Sequence, residues 1–247
     1  MGHGPSVLLL PSLGRPASDL AGLAADLAAA GYTAVLADPP GVDGVAVPDP
    51  APATLHDLAA LALAGLGEGD LPVAVVGHAF GGRIARCLAA DHPDLVRSVV
   101  VLGGGGRVPG DPEAVAALRA CFDPRLGPEE HLDAVGTAFF AAGNDPGVWA
   151  GGWWPEAAEL QRRASSGTAV EDWWGAGESP VLVVVGAQDH ISPPANGRQL
   201  VDQLGGRATL VEIAGAGHAL LPEQPAAVSA AVGEFLARTS PTGHRPG

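Results

Sequence analysis

Basic residues are scarce in this chain. Lysine and arginine total 13 against 27 aspartates and glutamates, a formal charge of −14 over 247 residues, and no lysine occurs at all. Such a surface repels phosphate backbones and anionic headgroups, so neither nucleic acid nor membrane is expected as a partner. Cysteine is scarcer still. Cys87 and Cys121 are too few and too far apart for a disulfide framework, and Cys87 falls in a helix-compatible segment where it reads as a small buried thiol. No apolar run is long enough to span a bilayer, and "MGHGPSVLLL" has no basic region ahead of its apolar residues. The match of "MGHGPS" to a myristoylation pattern is a short one in a chain rich in glycine and proline, and is discounted. A cytoplasmic protein is expected. Aromatic residues make up only 4%, yet all five tryptophans fall between Gly104 and Glu178.

What is present is a folding sequence. Hydrophobic residues reach 47% and the mean hydropathy is +0.23, enough for a large core in one domain with an inserted subdomain. Short β-rich runs alternate with longer Ala/Leu segments, the signature of a parallel sheet with crossover helices. "SVLLL", "YTAVLAD", "LPVAVVG", "SVVVLGG", "PVLVVVG" and "ATLVEIAG" read as strands. "ASDLAGLAADLAAAG" reads as the first helix, with Ser18 and Asp19 as candidate caps and Gly31 as its stop. A second helix is expected from about Thr54 to Leu66, and "QPAAVSAAVGEFLART" supplies the last one before a frayed tail, "SPTGHRPG".

From Gly104 the strand rhythm stops. "EAVAALRACF" and "EEHLDAVGTAFFAAG" are helical pieces, which predicts a helical cap over residues 104–178 inserted into a core made of residues 1–103 and 179–247. The glycine run at its entrance reads as a hinge. The clustered tryptophans either line a ligand pocket or glue the cap to the sheet.

The chemistry-bearing stretch is "VAVVGHAFGG", Val73 to Gly82: strand, sharp turn, then the helix-compatible "RIARCLAADHP". Glycines stand two residues either side of the apex, as a nucleophile elbow requires, but the apex is Ala79. Two other strand ends carry polar residues. "PVLVVVGAQDHISP" places Asp189 just past a strand, and "ATLVEIAGAGHALLPEQP" presents His218 from a glycine-rich loop. The order Ala79, Asp189, His218 is that of nucleophile, acid and base.

From about Ser6 to Arg238 the chain resembles the α/β-hydrolase superfamily, the capped esterase, lipase and peroxidase-like enzymes. "GHAFGG", "GAQDHISP" and "GAGHALLPEQP" carry the resemblance. It implies an α/β-hydrolase fold, a parallel sheet flanked by helices with an inserted helical cap. It also implies His218 as general base and Asp189 as its orienting acid, with Ala79 in the nucleophile's place. The first strand's exit, "LLLPSLGRPASDL", resembles the family's oxyanion loop and implies the backbone N–H groups of Leu13 and Phe80 as donors. No cofactor is implied, and no histidine pair has metal-ligand spacing.

The substrate is expected to be a small, bulky, apolar molecule contacted by His78, Phe139, Phe140, Trp149, Trp153, Trp154 and Trp174. Few basic residues stand in the cap, Arg162 and Arg163 being its one adjacent pair, which argues against a polyanionic ligand. The blunt apex leaves two readings. Ala79 is a substitution for serine in an ester-, lactone-, thioester- or amide-cleaving enzyme, or it is natural and the protein binds a ligand or uses His218 without covalent chemistry. Ser12 is the nearest alternative hydroxyl, with nothing in the sequence to orient it.

Overall fold

The computed structural model describes residues 3–104 and 106–240. Residue 105, inside the glycine run, and most of the "SPTGHRPG" tail therefore lie outside the described residues.

All six expected strands form, and they pair in parallel in the order β2-β1-β3-β4-β5-β6. They are β1 (Ser6–Leu10), β2 (Thr33–Leu36), β3 (Val73–His78), β4 (Val96–Leu102), β5 (Val181–Gly186) and β6 (Ala208–Ile213). Parallel strands covered on both faces have no polar side, which is why β1, β3 and β5 are almost wholly apolar and are buried throughout. Alternate residues go to opposite faces. Leu8, Leu10, Val75, Val99, Val101 and Val183 share one core with α2 (Leu55–Ala64), α3 (Gly81–Asp91) and α8 (Pro194–Leu204). Val7, Leu9, Val76, Val100, Leu182 and Val184 share the other with α1 (Ala21–Ala29) and α9 (Pro225–Thr239). Each register fixes this partition, since a one-residue slip would exchange the two faces.

Helix starts follow local chemistry. Thr54 caps α2 with a reciprocal box, its Oγ1 accepting the Asp57 N–H while the Asp57 carboxylate accepts the Thr54 N–H. α8 and α9 begin at proline, whose missing N–H is no loss there. Gly31 ends the first helical segment at φ +88°. Ser18 and Asp19 do not cap it: residues Ala17–Leu20 form a 3₁₀ turn before α1, and Asp19 instead takes both lobes of a salt link to Arg15.

Between β4 and β5 come α4 (Pro112–Ala120), α5 (Pro128–Phe139), α6 (Pro155–Ser166) and α7 (Val170–Trp173). A third apolar cluster joins α4, α5 and α6 to the sheet's carboxyl edge through Phe122, Val135, Phe139, Trp149, Ala158 and Ala219, while Trp173 of α7 packs into the first core. Arg15, 2% exposed, clamps this region: its guanidinium stacks 4.5 Å from the Trp149 ring and 4.4 Å from the Trp153 ring, and donates to the Gly151 carbonyl.

Candidate active site

The end of β3 is pinned by close backbone approach. A Cβ on Gly77 would lie 2.3 Å from the Gly81 carbonyl, and one on Gly81 would lie 2.3 Å from the Leu10 carbonyl oxygen. Only glycine fits at either place. Between them the backbone turns sharply and holds Ala79 at φ +48°, a left-handed conformation that L-residues other than Asn and Asp adopt at a penalty of about 1–2 kcal/mol.

Asp189 lies in the loop after β5. One carboxylate oxygen accepts the N–H groups of Ile191 at 2.9 Å and Ser192 at 2.7 Å, and the other meets His218 Nδ1 at 2.8 Å. A carboxylate only accepts, so Nδ1 carries the proton and Nε2 is left as the basic nitrogen. His218 is 5% exposed and Asp189 3%. Ala79, Leu13, Phe80 and His218 all line one cavity of about 490 Å³. Neither the Leu13 nor the Phe80 N–H has an acceptor among the described residues. Four loops distant in sequence thus meet at one site. Ser12 lines the same cavity, and no hydrogen bond ties its hydroxyl to His218 among the described residues.

Three polar side chains that the sequence reading did not single out set these loops. Gln161, on α6 and 1% exposed, accepts the Gly14 N–H at 2.7 Å, holding the loop that carries Leu13. Glu223 accepts the N–H groups of Gly217 at 2.8 Å and Ala141 at 2.7 Å, bracing the histidine loop against the segment after α5. Its burial raises the carboxyl's pKa above the usual range, against those hydrogen bonds. Asn144 joins through its amide, 2.9 Å from the same carboxylate. "PEQP" directly after the histidine loop was the available signal for Glu223; nothing local marked Gln161.

The expected aromatic lining is mostly not there. Of the seven substrate-contact candidates only Phe139 borders the cavity. His78 is fully buried and meets the His218 carbonyl through Nε2 at 2.8 Å; burial, with His218 adding to it, pushes its pKa down to about 3, so it is a neutral brace. Trp149 packs on Phe139 and Phe140, with ring centroids 5.3 and 5.6 Å apart. Trp153 donates its indole N–H to the Trp149 carbonyl. Trp154 donates its backbone N–H to the Gly14 carbonyl. Trp174 lies beneath Arg86, whose guanidinium carbon is 5.2 Å from the ring, and donates to Gln203. Indoles with so much area to bury went to the seam between α4–α7 and the sheet.

His56, Cys87 and Asp91 bring one donor atom each within 4.8 Å of the others, away from the cavity. The imidazole is held between the carboxylates of Asp91 at 2.8 Å and Asp172 at 3.6 Å, which raise its pKa. Burial and Asp91 push the Cys87 thiol up to about 12. An ion-paired histidine beside an inert thiol accounts for the group.

Residues 7–231 match the model of the alpha/beta hydrolase family. The chain is 28% identical over 182 residues to the provisionally named carbamate hydrolase RutD of a Caulobacter species, covering 66% of this chain and 64% of that protein. A lipase, LipV, of Mycobacterium tuberculosis is 38% identical over 83 residues, 34% of this chain and 29% of its own. The chain thus spans less than two thirds of the length of these curated relatives. Among solved structures, the provisionally named non-heme bromoperoxidase BpoC of Mycobacterium tuberculosis superposes with a TM-score of 0.79 at 25% identity, covering 98% of this chain and 95% of that one. The enol-lactonase of Burkholderia xenovorans reaches 0.75 at 24%, over 96% and 92% of the two chains. No helix among the described residues is long and apolar enough to cross a membrane. Sequence and fold agree on the ancestry of the parallel sheet and its elbow, and the chain belongs to the alpha/beta hydrolase family.

Proposed function

We propose that this is the site of a serine hydrolase acting on an ester, lactone or related acyl bond of a small molecule, with Ala79 in the nucleophile's position. The observation that carries the reading is the buried Asp189–His218 pair, whose imidazole borders the same cavity as a left-handed alanine. A chain with only structural demands at position 79 is better served by glycine, which adopts that conformation without penalty. A serine there would place its hydroxyl at the cavity with His218 Nε2 to take its proton. Attack on the carbonyl gives a tetrahedral oxyanion, for which the N–H groups of Leu13 and Phe80 are the donors. His218 then protonates the leaving group, and water releases the acyl group by the same steps. Residues 104–178 serve as the cap over this reaction. As it stands the chain binds such a ligand without forming an acyl-enzyme.

The expected substrate changes in one respect. Bulky apolar contacts were expected from tryptophans, and those tryptophans are spent on packing. A cavity of about 490 Å³ still suits a small molecule. With p-nitrophenyl esters as substrates, Ala79→Ser is expected to raise kcat by about 10⁴-fold or more, since loss of a serine nucleophile costs up to about 10⁶. A serine variant that folds and remains inert refutes the proposal. A natural, non-hydrolytic binding protein is the second reading, favoured by the alanine itself, and the genomic codon at position 79 separates the two.

A further inference from the structure

The cavity beside Ala79 carries charge of one sign. Arg83 and Arg162 line it and, among the described residues, no aspartate or glutamate does, in a chain with 27 acidic residues and 13 basic ones. Arg162, Ser165 and Ser166 stand at i, i+3 and i+4 on α6, so they share one helix face, and all three border the cavity. Arg83, in the first turn of α3, reaches that face through Nη1, which donates to Ser165 Oγ at 2.8 Å.

Neither guanidinium is held closely by a carboxylate. Arg83 has no ion pair among the described residues, and Glu159, the acid nearest Arg162, is 3.9 Å away with its side chain 58% exposed. Both cations rest on aromatic faces instead, Arg83 at 6.0 Å from the Phe80 ring centroid and Arg162 at 4.8 Å from that of Phe122. Burial lowers the pKa of Arg83, the response of a cation short of counter-charge. A guanidinium presents a planar fork of donors that matches a carboxylate, and hydroxyls beside it extend the same donor set.

We propose that Arg83 and Arg162, with Ser165 and Ser166, form an anion subsite that receives a carboxylate carried by the ligand. The substrate class is then an ester or lactone whose acyl chain ends in a carboxylate. The subsite stands on the cavity lining alone, whereas the substrate class also rests on the hydrolase reading. Arg83 follows Ala79 by four positions and both line the cavity, so glutarate, with a short spacer of a few carbons, is the probe chosen.

Two measurements test this and fail separately. The chain as it stands, which needs no turnover, is titrated calorimetrically with monomethyl glutarate and with dimethyl glutarate. The monoanion is expected to bind at least about tenfold tighter, and Arg83→Gln or Arg162→Gln to erase that difference. Arg163→Gln removes the same charge from an exposed position on the same helix, outside the cavity lining, and is expected to keep it. Equal affinities, no measurable binding of the monoanion, or an equal loss in Arg163→Gln overturns the proposal. In the second measurement Ala79→Ser is given the 4-nitrophenyl monoester of glutarate and 4-nitrophenyl pentanoate. A preference of about tenfold in kcat/KM for the charged ester, carried by KM, is expected. If both esters resist cleavage while the calorimetric preference stands, the hydrolase reading fails and the subsite survives. If both are cleaved alike, the subsite fails and the hydrolase reading survives.

Discussion

Ala79 is a small residue in a strained place, and its energetics can be measured without any substrate. At φ +48° a methyl side chain is penalised where glycine is not. Ala79→Gly is expected to stabilise the fold by about 0.5–1 kcal/mol, the strain relief being partly offset by greater freedom of the unfolded chain. Urea unfolding at constant m-value checks it, and a destabilisation would mean that the elbow is relaxed. His78 makes a second residue-scale prediction. Its pKa is held at about 3 in the fold against 6.5 in the unfolded chain. As pH falls from 6.5 toward 3 the unfolded chain binds a proton there that the native state refuses, so stability is lost on acidification, by at most about 1.4 kcal/mol per pH unit. Glu223 works with the opposite sign, since its raised pKa favours the native state as pH falls through the carboxylate range. Asparagine at position 78 can still donate to the His218 carbonyl but does not titrate. His78→Asn is therefore expected to flatten the acid limb of the stability profile relative to the parent, and parallel profiles from pH 7.5 to 5 would contradict the assignment.

Among the elements, the decisive one for assembly is the loop between β1 and α1. It carries Leu13, receives Gln161 from α6 at Gly14, and holds Arg15 between two indoles and Asp19. The side chains of that pair are 2% and 10% exposed, and Asp19 feels burial as its largest influence, which raises its pKa. Removing the cation leaves a carboxylate buried without a partner, so Arg15→Ala is expected to cost about 3–5 kcal/mol and to loosen α5 and α6 in hydrogen exchange before the sheet. A loss below about 1 kcal/mol would show that α5 and α6 are held by apolar contact alone. The elements themselves were largely legible beforehand, because buried parallel strands and Gly- or Pro-bounded helices are local signals. Asp189 and His218 were legible for the same reason, lying just past strand ends in glycine-bearing loops. The tryptophans were not. Whether an indole faces a cavity or a seam depends on what lies opposite, and "LGRPASD" gives no sign that Arg15 reaches Trp149 and Trp153 from more than a hundred residues away. Gln161 was hidden likewise, its partner Gly14 being 147 positions distant.

At the scale of the whole molecule, a net charge of −14 encloses a cavity that, among the described residues, has two arginines and no acid in its wall. On the proposed reading, the global charge repels phosphate polymers while the local charge selects what enters. The same cavity brings together the ends of β1, β3, β5 and β6, the places where a parallel sheet leaves its loops free to converge. Acyl transfer at position 79 requires that this convergence be catalytically competent. Its most direct test is to treat Ala79→Ser with a fluorophosphonate and locate the adduct by intact mass and peptide mapping. One adduct at position 79, absent when His218→Gln is added, is the predicted result; a folded Ala79→Ser protein that takes no label, or takes it elsewhere, contradicts the account.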